Sequence, residues 1–190
     1  RVVDRPSPNH GPRRNGLHPT LVVLHYTAMR DCASAADRLC DPDHEVSAHW
    51  LIDRDGTLLR LVPEDRRAWH AGAGSWGGQG DVNSRSIGIE LDNDGRTPFD
   101  EPLMVALEGL LARILTRHEI PPHHVIGHSD MAPGRKVDPG PHFDWCRLAR
   151  AGLSVWPDGE PAKVDAARFA ADAARFGYPD VAPDLLLVAI

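Results

Sequence analysis

The apolar positions of this chain follow two periods, and the longest clean stretches of each mark its frame. Leu21-Val22-Val23-Leu24 is a continuous apolar run. Such a run reads as a strand buried on both faces, and it ends on His25. Ser86-Ile87-Gly88-Ile89-Glu90-Leu91 alternates, with Ile87, Ile89 and Leu91 on one face and Ser86, Gly88 and Glu90 on the other. Glu90 therefore falls at a strand end, where the plain alternative is an ordinary exposed carboxylate. Glu101 to His118 has the helical period. Leu103, Leu107, Leu110, Ile114 and Leu115 form one stripe, Pro102 sits in the first turn, and Arg113 and Arg117 lie toward the C-terminal end. This helix is expected to cover the sheet, and Pro121-Pro122 stops it.

Shorter elements fill the gaps. Ser34 to Leu39 predicts a short helix. Ser47 to Asp53 and Thr57 to Val62 predict two strands joined at the Arg54-Asp55-Gly56 turn. His49 lies inside the first of them and is expected to be a packed histidine. Pro63 onward leaves the sheet. Val125-Ile126 predicts a short strand, and Phe143 to Ala151 a helix stopped by Gly152. Residues 1 to 20 hold four prolines and two glycines and read as a surface arm with little regular structure. After Trp156-Pro157-Asp158-Gly159 the composition turns Ala-rich. Lys163 to Phe176 predicts a helix with Val164, Ala167, Phe169, Ala173 and Phe176 as apolar contacts, and Asp184 to Ile190 predicts another. Two short helices are too little for their own core, so they dock on the main domain or open a further one. The division is an arm (1–20), a main domain (21–157) and a helical extension (158–190), and strands and helices in mixed order indicate an α/β class.

Composition narrows the function. The net charge of -6 supplies no basic field for nucleic acid or an anionic membrane. No apolar run approaches the ~18 residues of a membrane span. The chain opens on Arg1, so a natural start upstream stays open. The three cysteines, Cys32, Cys40 and Cys146, are an odd set for a disulfide scaffold. Cys32 and Cys40 flank one predicted helix and stand about 12 Å apart along it, beyond the roughly 4.4–6.8 Å of bridged Cα atoms. They are expected to be small buried thiols.

The candidate chemistry concentrates in Gly127 to Gly140. This run places His128, Lys136 and Asp138 among two prolines and three glycines, which predicts a rigid loop without helix. His128 and Asp138 suit a zinc ion as one nitrogen and one oxygen ligand. Lys136 and Asp138 are two apart and share a side if that piece is extended. His124 and His128 have i, i+4 spacing, but Gly127 and the preceding prolines argue against a helix that would pair them. His25 alone at its strand end reads as a structural histidine, and beside His128 and Asp138 it is the candidate for a third ligand. Two histidines and one carboxylate leave a tetrahedral zinc one open position for water. Glu90 could take that water's proton and return it to a leaving amine, and Lys136 could stabilise an oxyanion. Together these parts suit amide hydrolysis. Trp69-His70-Ala71-Gly72 opens a Gly-rich stretch that includes Trp76. An aromatic there suits the rim of a cleft, and equally a plug at the core edge. A rival pattern sets Glu90, Asp92, Asp94, Gly95 and Glu101 at positions 1, 3, 5, 6 and 12 of a calcium loop. A preceding strand instead of a helix, and Pro98 inside the loop, argue against it.

Leu24-His25-Tyr26-Thr27, Val46-Ser47-Ala48-His49, Trp69-His70-Ala71-Gly72, Asn83 with Ser86 to Glu90, and the whole run from Gly127 to Gly140 occur in this order. In these motifs the chain resembles the zinc-dependent N-acetylmuramoyl-L-alanine amidases of the type 2 amidase family, over roughly residues 5 to 157. The resemblance implies a central mixed β-sheet flanked by helices, and one zinc ion on His25, His128 and Asp138. It implies Glu90 and Lys136 as catalytic partners, and Trp69, His70, Ala71, Asn83 and Arg85 as substrate contacts. The implied partner is a peptidoglycan fragment, cut between N-acetylmuramic acid, ordinary or anhydro, and L-alanine. Aspartate as third ligand matches the bacterial enzymes of the group. One branch recycles anhydro-muropeptides in the cytosol, and the other is anchored to the outer membrane and carries a helical peptidoglycan-binding-like domain. The sequence favours the cytoplasm and leaves the periplasm and outer membrane open, and a monomer is expected. Non-catalytic peptidoglycan recognition is the competing function.

Overall fold

The computed structural model describes residues 1–159 and 165–189. In chain order its elements are β1 (Val2–Asp4), β2 (His10–Pro12), β3 (Leu21–Tyr26), α1 (Cys32–Cys40), β4 (Trp50–Ile52), β5 (Leu58–Arg60), β6 (Arg66–Ala68), α2 (Val82–Arg85), β7 (Ser86–Leu91), α3 (Glu101–His118), β8 (Val125–Gly127), α4 (His128–Met131), α5 (Trp145–Arg150), α6 (Ala166–Phe176) and α7 (Pro183–Ala189). Six strands form one sheet in the order β1-β5-β4-β7-β3-β8. The sheet is mixed: β4 and β5 are antiparallel, and the other neighbours run parallel.

The apolar run 21–24 becomes β3 because every one of its side chains finds cover. Leu21, Val22, Val23 and Leu24 are each 0% exposed. On one face Val22 and Leu24 join Ile87, Ile89 and Leu91 beneath α3. On the other, Leu21 and Val23 pack with Ala71, Trp76, Val82, Ile126 and Met131. Helix α3 brings seven buried side chains, each worth about 1.5–3 kcal/mol on burial, and it is the main cover of the sheet. A third cluster joins α1 to Leu51 and Leu61.

Several expectations change. Residues 1–20 are not without structure: β1 extends the main sheet along β5, and β2 pairs antiparallel with β6 in a separate two-stranded sheet. The pairing is long-range, so local composition does not announce it. The strand expected over 47–53 shrinks to β4, because Ser47 turns its N–H to the carbonyl of Trp69. Helix α1 takes in both cysteines at its ends, and among the described residues all three cysteines are free. Only Cys32 is fully buried; Cys40 and Cys146 are half-buried. The loop 127–140 opens with one helical turn, α4.

The extension touches the main domain. Gly77 N–H donates to the carbonyl of Gly177 at 2.8 Å. Trp76, 2% exposed, meets the Phe176 and Tyr178 rings edge-on, with centroids 5.9 and 5.0 Å away. Tyr178 Oη donates to Asp130 at 2.9 Å. Trp76 is therefore a core residue under the extension. Lys163, Val164, Ile190 and the side chain of Ala167 lie outside the described residues.

Candidate metal centre

Three adjacent parallel strands, β7, β3 and β8, end on the same side of the sheet, where ligands of α/β folds are generally received. Each delivers a group there. His25 on β3 is the register partner of Glu90 on β7. His128 follows β8 directly as the first residue of α4. That turn forms despite its composition because Asp130 folds back and its Oδ2 accepts the Gly127 N–H at 2.6 Å. Ser129 N–H donates to the carbonyl of Asp138 at 2.9 Å, which brings Asp138 back to His128.

The three predicted ligands converge. His25 Nδ1 lies 2.9 Å from His128 Nδ1, and Asp138 Oδ2 lies 3.0 Å from each. Among the described residues they are the one histidine, cysteine or carboxylate group of this kind. The outer nitrogens are committed elsewhere. His128 Nε2 lies 2.9 Å from the carbonyl of Ala71, which can only accept, so Nε2 donates there and Nδ1 is the nitrogen that faces the triangle. His25 Nε2 lies 3.0 Å from His70 Nδ1. Two ring nitrogens and a carboxylate oxygen at this separation are a donor set that can hold a cation. A tetrahedral zinc about 2.0–2.1 Å from each donor spaces them roughly 3.3 Å apart, a few tenths wider than the triangle seen here. The residues fit a metal ion.

Electrostatics agree. Burial, and next the neighbouring His128, lower His25 to about 4, so its ring is neutral. Burial raises the Asp138 carboxyl, but the two histidines outweigh it and hold the group well below the usual range. Burial first, then the charge of Asp138, push Glu90 up to about 8 against the opposing Lys136. Glu90 Oε2 is buried and has no hydrogen-bond partner among the described residues. Glu90 is thus no exposed strand carboxylate.

The centre opens into a cavity of about 410 Å³ lined by Glu90, Lys136, Trp69 and His70 together with the three ligands. Trp69 lines the cavity and is half-buried. Ala71, Asn83 and Arg85 are not among the lining residues. Asn83 Oδ1 accepts the N–H groups of His70 and Ala71 at 3.0 and 2.8 Å. Arg85 donates to the carbonyls of Trp76 and Gln79 at 3.0 and 3.1 Å. Asn83 thus holds residues 70 and 71, which touch both histidines, and Arg85 holds the turn 76–79. His49 is packed behind the centre, accepting Gly88 N–H on Nδ1 at 2.9 Å, and His124 lies against the carbonyl of Thr20. The calcium pattern does not converge: Asp92 pairs with Arg54, Glu101 with Arg147, and Glu90 faces the cavity.

The sequence profile of the N-acetylmuramoyl-L-alanine amidase family matches residues 15–141. The chain belongs to this amidase family. It is 38% identical to the N-acetylmuramoyl-L-alanine amidase AmiD of Escherichia coli (strain K12), over 87% of this chain and 68% of that protein. It is 37% identical to the 1,6-anhydro-N-acetylmuramyl-L-alanine amidase AmpD of Enterobacter cloacae, over 82% of this chain and 91% of that protein. A solved complex of the E. coli AmiD with anhydro-N-acetylmuramic acid-L-Ala-D-gamma-Glu-L-Lys superposes with a TM-score of 0.80 at 35% identity, covering 92% of this chain and 79% of that one. The amidase fold, an α/β sheet of mixed pairing between helices, is the one expected from the resemblance. The relatives are bacterial, and no described helix is long and apolar enough to cross a membrane.

Proposed function

We propose that this amidase-family chain hydrolyses the amide between N-acetylmuramic acid, ordinary or anhydro, and L-alanine of the stem peptide, with zinc held by His25, His128 and Asp138. The observation that carries the reading is the triangle of two ring nitrogens and a carboxylate oxygen beside a buried carboxylate oxygen without a partner. The named activities of AmiD and AmpD supply the substrate class.

A zinc ion at the triangle supplies Lewis acidity and brings a water's pKa down toward about 7. Glu90 takes a proton from the attacking water and returns it to the departing alanine nitrogen, and its raised proton affinity suits the return step. The Lys136 ammonium lines the same cavity and offsets negative charge on the carbonyl oxygen. Trp69 offers a flat ring to the substrate. The net charge of -6 favours small muropeptides over an anionic polymer, which supports turnover in the cytoplasm. Incubation with a muramoyl-L-alanyl peptide tests the reading: release of stem peptide supports it, and tight binding without release makes the chain a recognition module instead.

A further inference from the structure

Resting on the amidase reading above, we propose that Arg38 selects the stem peptide, by pairing with the free carboxylate of the amino acid that follows L-alanine. Helix α1 then marks the side of the cleft on which the peptide lies.

The cavity that opens from the metal centre runs on to helix α1. Ala35, Arg38 and Leu39, at i, i+3 and i+4, share one face of that helix and line the wall. Met29 and Val46 continue the wall and pack against the α1 cluster. On this side, from residue 29 to residue 46, the Arg38 guanidinium is the one charged group of the lining. The other cations of the cavity are occupied or lie by the metal centre. Arg135 donates to the carbonyls of Ala71 and Ala73, and Lys136 stands two residues before Asp138. The arginines around α1 have acids of their own: Arg5 pairs with Asp37, and Arg30 with Asp31. Among the described residues no carboxylate pairs with Arg38. It is exposed, so its charge is left to water until an anion enters the cleft.

The chemistry of a muropeptide says where that anion sits. The lactyl carboxyl of N-acetylmuramic acid is consumed in the amide that is cut, so the sugar brings no carboxylate. Every carboxylate is therefore on the peptide side of the scissile bond. L-alanine, next to that bond, offers only a methyl group, which suits a wall of Ala35, Leu39 and Val46. The first free carboxylate belongs to the residue after it. In the ligand of the E. coli AmiD complex, D-glutamate continues the chain through its γ-carboxyl, which leaves the α-carboxylate free. A guanidinium presents a planar fork of donors that matches such a group with two hydrogen bonds.

Arg38 also stands on a fixed support. Ser7 Oγ donates to the carbonyl of Leu39 at 2.5 Å, and Asn9 Nδ2 donates to the carbonyls of Asp41 and Val46 at 2.8 and 2.9 Å. The N-terminal arm thus pins the end of α1 that carries Arg38, together with Val46.

Two peptides that differ in one group provide the test. One is anhydro-N-acetylmuramoyl-L-Ala-D-γ-Glu-L-Lys, and the other has the glutamate α-carboxylate replaced by a carboxamide. Peptide release by the full, zinc-loaded chain is followed for wild type, Arg38→Met and Arg38→Lys, and binding of both peptides to each protein is measured by calorimetry. The wild type is expected to prefer the carboxylate about 10-fold in kcat/KM, the scale of one hydrogen bond to a charged group. The preference should lie in KM rather than kcat, because the pair forms equally in the ground and transition states. Arg38→Met should lose the preference through a raised KM for the carboxylate peptide, and Arg38→Lys should keep part of it. Zinc content should be the same in all three. Equal kcat/KM for the two peptides in the wild type overturns the proposal without need of any variant, and so does an undiminished preference in Arg38→Met. No release from either peptide overturns the amidase reading instead, and the calorimetric preference then decides the role of Arg38.

Discussion

His25 and Glu90 are register partners on two adjacent parallel strands, so one metal-ligand candidate and one acid–base candidate share a face of the sheet at the same height. Backbone pairing, rather than a loop, holds their separation. Glu90→Gln should therefore leave the metal triangle intact. We expect zinc content equal to wild type and turnover lowered about 10²–10⁴-fold, the range of a lost general base. Unchanged turnover in the zinc-loaded variant removes Glu90 from the mechanism.

His49 makes acid stability a probe of the packing behind the site. Burial first, then the charge of Arg13, lower its pKa from the ordinary 6.5 to about 3. The folded state holds it neutral while the unfolded chain protonates it. Its contribution is thus complete above pH 6.5 and is lost as pH falls from there toward 3. The slope is about 1.4 kcal/mol per pH unit for one proton. Urea unfolding between pH 4 and 8 should show a shallower acid limb for His49→Gln than for wild type, and parallel limbs contradict the assignment.

Much of this was legible in the residues. Strand β7 and helix α3 fall on the predicted limits, 86–91 and 101–118, because each buries one regular face on its own period. The convergence of His25, His128 and Asp138 was expected from the motifs together, while His25 alone at a strand end reads as a structural histidine. The three-residue strands β1, β2 and β6 were not, since long-range pairing makes them and no local pattern does. The burial of Glu90 was hidden as well, because a strand-end carboxylate looks the same whether water or a cavity wall meets it. Nor does any spacing connect residue 70 with residue 25: only the folded chain brings those rings together.

The extension supports the loop that carries His128. Tyr178 Oη and Gly127 N–H both donate to Asp130, whose pKa burial raises to about 6. Tyr178→Phe leaves that carboxylate one donor short in a buried place. A loss of about 1–3 kcal/mol is expected, seen as a lower thermal midpoint. An unchanged midpoint means the extension is not held by this bond.

Cleavage at the proposed His25–His128–Asp138 centre should depend on zinc. Stem-peptide release from anhydro-N-acetylmuramoyl-L-alanyl peptide, followed with zinc-loaded, chelated and zinc-restored protein, decides this. Release is expected in the first, none in the second and recovery in the third. Release that survives complete chelation rules out a zinc centre.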